Sequence, residues 1–420
     1  MPGPPQPPHL GPGTRVALLL PASAAYVDAV ISMLVRGTVP IPLDPRLSEI
    51  ERRGILADLE PHLVVTTPQD LVALNTGWKP GDVPLARPMH VTSGTTGSPK
   101  GVFSGILSPG PAAALLAEER ELWGFDPSDV NLVLSPLYHS APLRFAIGTL
   151  LAGGRIVLPD APSFDAATVT EAIRRERPTT MFCVPAHLQR LFTHWDATGW
   201  PDLTSFRLVA HAGAPCPDHL KRRLIEAFPA YSTWEFYGAT EGQFTACRSE
   251  EWQLRPGTVG RARPGRTLSV DHDGTIWCTV PEHARFSYFG APEKTAAAWR
   301  QDAFTVGDLG RIDTDGYLYL DGRREDLVIT GGVNVYPAEV ENALAEHPGV
   351  SDVAVYGVAD DTWGQRVCAA YVGTATSAEL DAWARERLTP PKRPKEYYPV
   401  PLIPRTLTGK ILRRSLRQDS

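Results

Sequence analysis

Three consecutive stretches decide the fold class: RVALLLP (15–21), SAAYVDAVISMLVRG (23–37) and VPIPL (39–43). The first is a short apolar run with no polar alternation, as expected of a strand buried on both faces. The second places Tyr26, Ala29, Val30, Met33 and Leu34 at helical spacing. The third is again a short strand. SEIERRGILADLEP (48–61) and HLVVT (62–66) continue the alternation. It returns in RIVLP (155–159), FDAATVTEAIRRER (164–177), TTMFCVP (179–185), AHLQRLFTHW (186–195), FRLVAHAG (206–213), PDHLKRRLIEAFP (217–229) and STWEFYG (232–238). Strands alternating with amphipathic helices predict an α/β protein built on largely parallel sheets covered on both faces.

The texture changes near residue 250. HDGTIWCTV (272–280) and TDGYLYLDGR (314–323) are short strands with Gly and Asp turns, which predict antiparallel pieces. From residue 327 a smaller α+β unit follows. LVITGGVNVY (327–336) reads as a Gly-turned hairpin, and PAEVENALAEH (337–347) as a helix with Pro at its first position. VSDVAVYGVAD (350–360) and QRVCAAYVG (365–373) read as strands, and AELDAWARERL (378–388) as a helix.

Composition narrows the function. The 420 residues are 43% hydrophobic and 21% charged, ordinary values for a chain with a real core. The net charge of −6 comes with no basic stripe, so nucleic acid is not an expected partner. The apolar runs are too short to span a membrane, and no basic and apolar leader opens the chain. The five cysteines (Cys183, Cys216, Cys247, Cys278 and Cys368) are scattered and form no C-x-x-C, so neither a disulfide framework nor a zinc site is expected. A reducing cytoplasm is the expected compartment. Only 7 of the 41 basic residues are lysine, so a lysine inside a motif stands out.

The strongest motif is TSGTTGSPKG (92–101), which combines glycines and hydroxyl residues with the rare Lys100. Glycines let backbone approach a polyanion, and hydroxyls and amides then donate to phosphate oxygens. The Walker pattern is absent, which disfavours a P-loop NTPase. A plain Ser/Gly connection is the competing reading of the loop alone. Further on come YGATE (237–241), GDLG (307–310), GRREDL (322–327), Gly331-Gly332 and PRTLTGK (404–410). A tight Gly turn ending in Thr and Glu can offer a hydroxyl to a phosphate and a carboxylate to Mg²⁺.

Together and in this order, these segments resemble the adenylate-forming superfamily of acyl-CoA synthetases, peptide-synthetase adenylation domains and firefly luciferase. PLYHSAP (136–142) resembles its acyl-pocket segment and HAGAP (211–215) its adenine-contacting strand end. The likeness runs from about Arg15 to Leu416 and is nearest to the acyl-CoA synthetases. It implies a large N-terminal domain of parallel-rich αβ-layered subdomains with a small antiparallel β subdomain, followed by a small mobile α+β C-terminal domain. In this sequence those would be a Pro/Gly-rich lead-in (1–13), a body (14–325) and a mobile domain (326–420), with the hinge at Asp326.

The likeness also implies roles. Tyr237 would lie against adenine beside Gly213, Ala214 and Pro215, with Gly238 and Ala239 in the same nucleotide site. Thr240 would contact the α-phosphate, and Glu241 would bind Mg²⁺. Asp308 would accept from the ribose hydroxyls, with Arg323 nearby. Thr92, Ser93, Gly94, Thr95, Thr96, Gly97 and Lys100 would hold the β- and γ-phosphates. Lys410 would bridge the acyl carboxylate and the α-phosphate. His139 would stand at the acyl pocket or the mouth of the thiol tunnel, which Gly331 and Gly332 would line. The implied activity joins a carboxylic acid to coenzyme A through an acyl-AMP, using ATP and Mg²⁺. HSAPLRF (139–145) and the small Gly238-Ala239 pair suggest a roomy apolar pocket for an aromatic, alicyclic or polycyclic acid.

Two other outcomes are open at this level: transfer to a carrier-protein thiol or an amine, and a half-enzyme that performs one step. The family usually carries about one more strand–helix module before RVALLLP. The stretch from His62 to Thr92 is also short, and GVFSGILSPG (101–110) lacks the Thr-His pair often found there. An uncovered sheet edge is therefore expected, and a homodimer would hide it.

Overall fold

The computed structural model describes residues 10–92, 100–161, 163–323, 326–331, 333–405 and 411–416. The opening stretch forms as its periodicity predicts. β1 (Arg15–Leu18), α1 (Ala24–Val35), β2 (Val39–Pro42), α2 (Glu49–Leu59), β3 (Leu63–Val65) and α3 (Pro68–Leu74) build a three-stranded parallel sheet in the order β2-β1-β3. Ser23 caps α1 by accepting from the Tyr26 amide, and Ser48 and Glu51 form a capping box on α2. Val16, Ala17, Leu18, Val27, Val30 and Ile31 are fully buried in the core of this layer.

The next segment carries the central sheet. β4 (His90–Thr92) and β5 (Lys100–Phe103) pair antiparallel. They lead into α4 (Pro109–Trp123), β6 (Val130–Val133), α5 (Ser140–Leu151), β7 (Arg155–Val157), α6 (Ala166–Glu176), β8 (Thr180–Cys183), α7 (Pro185–Thr198), β9 (Leu208–His211), α8 (Asp218–Ala227), β10 (Thr233–Glu235), β11 (Thr245–Arg248), α9 (Ser249–Leu254) and β12 (Arg261–Ala262). Seven strands run in the order β12-β11-β10-β9-β8-β6-β7. From β7 to β10 the pairs are parallel, and the β11 and β12 edge is antiparallel. Parallel strands buried on both faces explain why TMFC and LVAH show no apolar–polar alternation.

After residue 262 the pieces are short. They comprise β13 (Thr267–Val270), β14 (Ile276–Thr279), β15 (Ser287–Tyr288), α10 (Pro292–Ala298), β16 (Trp299–Arg300), β17 (Ala303–Phe304), β18 (Asp308–Ile312) and β19 (Leu318–Arg323). β13, β14, β17 and β16 form an antiparallel sheet, β18 and β19 form a ribbon, and β15 joins β5 and β4.

The last unit is α+β. It contains β20 (Val328–Thr330), β21 (Val333–Val335), α11 (Pro337–Ala345), β22 (Val350–Asp360), β23 (Gly364–Gly373), α12 (Ser377–Arg387), β24 (Glu396–Pro399) and α13 (Arg413–Leu416). Its sheet runs β21-β20-β23-β22, with β24 parallel to β23. Period-2 alternation divides its faces. Val353, Val355, Val367, Ala369 and Tyr371 pack with Val340, Leu344, Leu380 and Ala384 of the two helices. Ala354, Tyr356, Cys368 and Ala370 pack with Ile403 and Leu416 on the other face. The α/β class, with a large N-terminal domain and a smaller C-terminal one, is as the sequence predicts.

Candidate active site

The site forms where β9 and β10 end. These strands are parallel neighbours, with His211 opposite Glu235, so their C-terminal ends open on one crevice. In parallel α/β sheets that crevice is where ligands are held. Gly213, just beyond β9, has φ +91°, a conformation that favours glycine. Ala214 and Pro215 follow it.

Beyond β10 the chain turns in a tight loop. The Ala239 amide donates to the Gly242 carbonyl (2.9 Å), the Gly242 amide returns the bond (3.2 Å), and Phe244 N donates to Tyr237 O (2.9 Å). Gly238 is required here: a Cβ would stand 2.6 Å from the Gly242 oxygen. The turn projects Thr240 and Glu241. Glu241 is buried, and its Oε1 accepts a 2.7 Å bond from the Tyr288 hydroxyl. Tyr288 lies on β15, opposite Val102 of β5, so Glu241 is tied to the strand that starts at Lys100. Sequence reasoning missed Tyr288, whose position depends on a strand pairing in which Ser287 meets Phe103, 184 residues earlier in the chain.

Tyr237 is buried, and its hydroxyl donates to Asp308 Oδ2 at 2.6 Å. Its ring centroid is 4.9 Å from that of Phe244. Asp308 opens β18 directly after Gly307, which has φ +80°. Arg323 is the Cα partner of Asp308 across the β18–β19 ribbon, and its side chain lies outside the described residues. The fold thus brings together Gly213, Tyr237, Thr240, Glu241 and Asp308.

Beneath this crevice lies a buried ion pair. Lys221 Nζ donates to Glu235 Oε2 at 3.0 Å and sits 2.7 Å from His211 Nε2. Burial, reinforced by the Lys221 charge, pushes His211 well below the usual imidazole range and keeps it neutral. The group ties α8 to the ends of β9 and β10.

Thr92 closes β4 opposite Lys100, and its Oγ1 donates to the Lys100 carbonyl at 3.3 Å. Lys100 Nζ stands 3.5 Å from Asp58 of α2. Ser93, Gly94, Thr95, Thr96 and Gly97 lie outside the described residues. His139 is the residue before α5; its Nε2 is buried without a hydrogen-bond partner among the described residues. Burial lowers its pKa to about 4, against the smaller opposing pull of Asp44.

A cavity of about 160 Å³ opens beside Ala239–Gln243. Leu115, Leu116, Ile147, Val280 and Phe304 give it apolar walls, while HSAPLRF contributes Ser140 and Arg144. Arg87, Arg144, Arg263 and Arg266 also line it, with Glu119. Only Arg144 falls within a segment the sequence singles out. Arg263 and Arg266 share the turn between β12 and β13, and Arg87 comes from the segment before β4; no motif connects the two stretches.

In the C-terminal unit Asp326 is held by Arg413, Nη1 to Oδ2 at 3.2 Å, and Arg413 also bonds Glu341 at 2.6 Å. Gly331, with φ +57°, donates to the Trp363 carbonyl at 2.8 Å, and a Cβ there would meet the Trp363 ring at 2.9 Å. Gly332 and Lys410 lie outside the described residues. No group of three or more metal-ligating side chains occurs among the described residues, and no described helix is long and apolar enough to cross a membrane.

Comparison with known proteins agrees with this geometry. The family described as "AMP-binding enzyme" matches residues 89–285, and "AMP-binding enzyme C-terminal domain" matches residues 339–410. A feruloyl-CoA synthase of Amycolatopsis is 33% identical over 97% of this chain and 89% of its own length. A 2-succinylbenzoate–CoA ligase of Geobacillus kaustophilus is 36% identical over 78% of this chain and 68% of its own. Among solved structures, o-succinylbenzoate CoA synthetase of Bacillus subtilis, in complex with its acyl-adenylate intermediate, superposes with a TM-score of 0.82 at 26% identity, covering 97% of this chain and 89% of that one. With the motifs in order, the crevice assembled and relatives matched along nearly the whole chain, the protein belongs to the AMP-binding enzyme family.

Proposed function

We propose that this chain is an AMP-forming acid–thiol ligase that makes an acyl-CoA. The observation that carries the reading is the Tyr237–Asp308 hydrogen bond, which holds together two elements of one crevice that stand 71 residues apart in the chain. In the first step a carboxylate oxygen attacks the α-phosphorus of ATP, the bond to the β-phosphate oxygen breaks, and pyrophosphate leaves. In the second, the sulfur of coenzyme A attacks the acyl carbon, the acyl C–O bond breaks, AMP leaves, and the thiol proton passes to solvent.

On this reading Tyr237 and Gly213-Ala214-Pro215 flank the adenine, and Asp308 takes the ribose hydroxyls. Thr240 donates to the α-phosphate. Charge grows on phosphate oxygens during the first step, so donors fixed in advance lower its barrier. Lys410 is assigned to that charge, which suits a compact cation on a flexible stem. Gly238 and Ala239 leave room beside the reacting carboxyl, and neutral His139 borders the acid. Thr92, Lys100 and the loop between them hold the departing pyrophosphate.

Glu241 is one buried carboxylate, which fits Mg²⁺, an ion bound through one or two carboxylates and substrate phosphates. Bound there, it would neutralise phosphate charge. The family likeness supports a hinge at Asp326, between a body ending at residue 325 and a mobile unit over 326–420, and a role for Gly331-Gly332 along the thiol path. The cavity volume favours an acid with one ring or a short chain, since ~150 Å³ accepts a benzene. The reading places the chain in the cytoplasm. A second copy would cover the β3 edge, where Val64 is 40% exposed.

The test is ATP–pyrophosphate exchange over a panel of carboxylic acids, followed by thioester formation with coenzyme A. Exchange without thioester would redirect the acyl group to a carrier thiol or an amine; thioester only from supplied acyl-adenylate would mark a half-enzyme.

A further inference from the structure

The cavity beside Ala239–Gln243 holds more positive charge than its carboxylates balance. Arg263 Nη1 bonds Glu119 Oε1 at 2.8 Å, and Arg266 Nη2 bonds Glu118 Oε2 at 2.8 Å. Those two pairs use Glu118 and Glu119, neighbours on α4. Arg144 Nε stands 3.5 Å from Glu119 Oε2, and neither atom has a hydrogen-bond partner among the described residues. Arg87 has no hydrogen bond or ion pair with any described residue; Glu119 acts on it only through its field. Glu241, the remaining carboxylate of the lining, is turned to Tyr288 and, on the reading above, to Mg²⁺.

Arg87 therefore faces the cavity without an anion, and Arg144 has only a share of Glu119, which Arg263 also holds. Burial lowers the Arg87 pKa to about 10, with the neighbouring arginines adding to the effect against Glu119. Burial lowers Arg144 too. Buried cations without partners are costly, and a pure support network would pair them. The place where they stand is a substrate-sized space with apolar walls, one end of which is the Thr240–Glu241 turn.

We infer that the acid this enzyme activates carries a second carboxylate, which binds between Arg87 and Arg144 while the reacting carboxylate lies at the Thr240–Glu241 turn. The inference rests on the acid-ligase reading and names its substrate class. A planar guanidinium fits a carboxylate through two parallel hydrogen bonds. The apolar walls would cover a short chain or a single ring between the two acid groups. A monoacid of the same shape would leave Arg87 without an anion and Arg144 with only its share of Glu119, and sites of that kind discriminate strongly.

The experiment measures ATP–pyrophosphate exchange with two matched pairs, adipate against hexanoate and 3-(2-carboxyphenyl)propanoate against 3-phenylpropanoate. In the wild type, kcat/KM should favour the better-fitting diacid over its monoacid by ~10² or more. Arg87→Met should cut that ratio at least ~10-fold, mainly through KM, and Arg87→Lys should restore part of it as a point charge. A residue that merely supports the fold would lower both acids together and leave the ratio unmoved, which would overturn the inference. Wild-type preference for the monoacids would overturn it as well and leave the ligase reading standing. Absence of exchange and of thioester formation with these and a wider panel of acids would remove the ligase reading, and this inference with it.

Discussion

The Tyr237 hydroxyl donates a 2.6 Å hydrogen bond to Asp308 Oδ2, across 71 residues of chain. One partner follows a strand of the central sheet and the other opens the β18–β19 ribbon. A hydrogen bond to a charged group contributes ~1.5–3 kcal/mol. Tyr237→Phe should therefore raise KM for ATP by ~10-fold or more while kcat at saturating ATP changes less. Steady-state kinetics with varied ATP check this, and an unchanged KM would remove Tyr237 as the residue that positions Asp308.

Lys410→Ala separates the two half-reactions. Loss of one preorganised charge costs ~2.7–4 kcal/mol, or ~10²–10³ in rate. That loss should appear in pyrophosphate exchange and be absent when coenzyme A is offered preformed acyl-adenylate. Equal loss in both assays would contradict the assigned role.

Lys221 is 1% exposed and pairs with Glu235. Removing one member of a buried pair typically costs ~3–5 kcal/mol, because the other charge is stranded. Lys221→Met should lower the melting temperature markedly, and adding Glu235→Leu should recover much of it. If the double variant melts no higher than the single one, the cost is packing and not stranded charge.

Stability should fall in mild acid. Burial lowers His90, His139 and His187 to about 4 each, and His211 further. These pKa values are depressed on folding, so the unfolded chain binds more protons below its own imidazole pKa of ~6.5. The contribution is complete above that pH and is lost progressively as pH falls from ~6.5 through about 4. Thermal melts from pH 7.5 to 4.5 should show a steepening decline below pH 6.5. Glu119, held down to about 2 by its arginines despite burial, adds a second decline below ~4.5. A flat melting temperature down to pH 5 would show that these histidines are not buried as neutral rings.

Local patterns made most of the fold legible. RVALLLP, TMFC and LVAH show strands buried on both faces, and SAAYVDAVISMLVRG shows its helix through the spacing of Tyr26, Ala29, Val30, Met33 and Leu34. α3 and α4 are harder to read. α3 is seven residues long, and α4 is rich in alanine and carries few buried apolar side chains, so neither has a strong period. Motif order pointed to the residues of the crevice, such as Tyr237 and Asp308. The arginine-lined cavity was not legible, because Arg87, Arg144 and the turn that carries Arg263 and Arg266 meet only through tertiary packing. The partner of Glu241 was hidden for the same reason: Tyr288 arrives on a two-residue strand.

The second face of the C-terminal sheet is closed by Ile403 and Leu416, which flank PRTLTGK on either side. The segment that carries Lys410 is thus bracketed by two core anchors. Trimming the chain after Ile403 would do more than delete a cation. It would take the Ile411 and Leu416 cover off the face that carries Ala354, Tyr356 and Ala370 on the long β22 and β23 strands, and an uncovered apolar patch invites aggregation. Proteolytic clipping at this tail should therefore yield insoluble protein and not a soluble, lysine-free enzyme. Under such an arrangement selection for a folded domain also protects the lysine-bearing segment from loss.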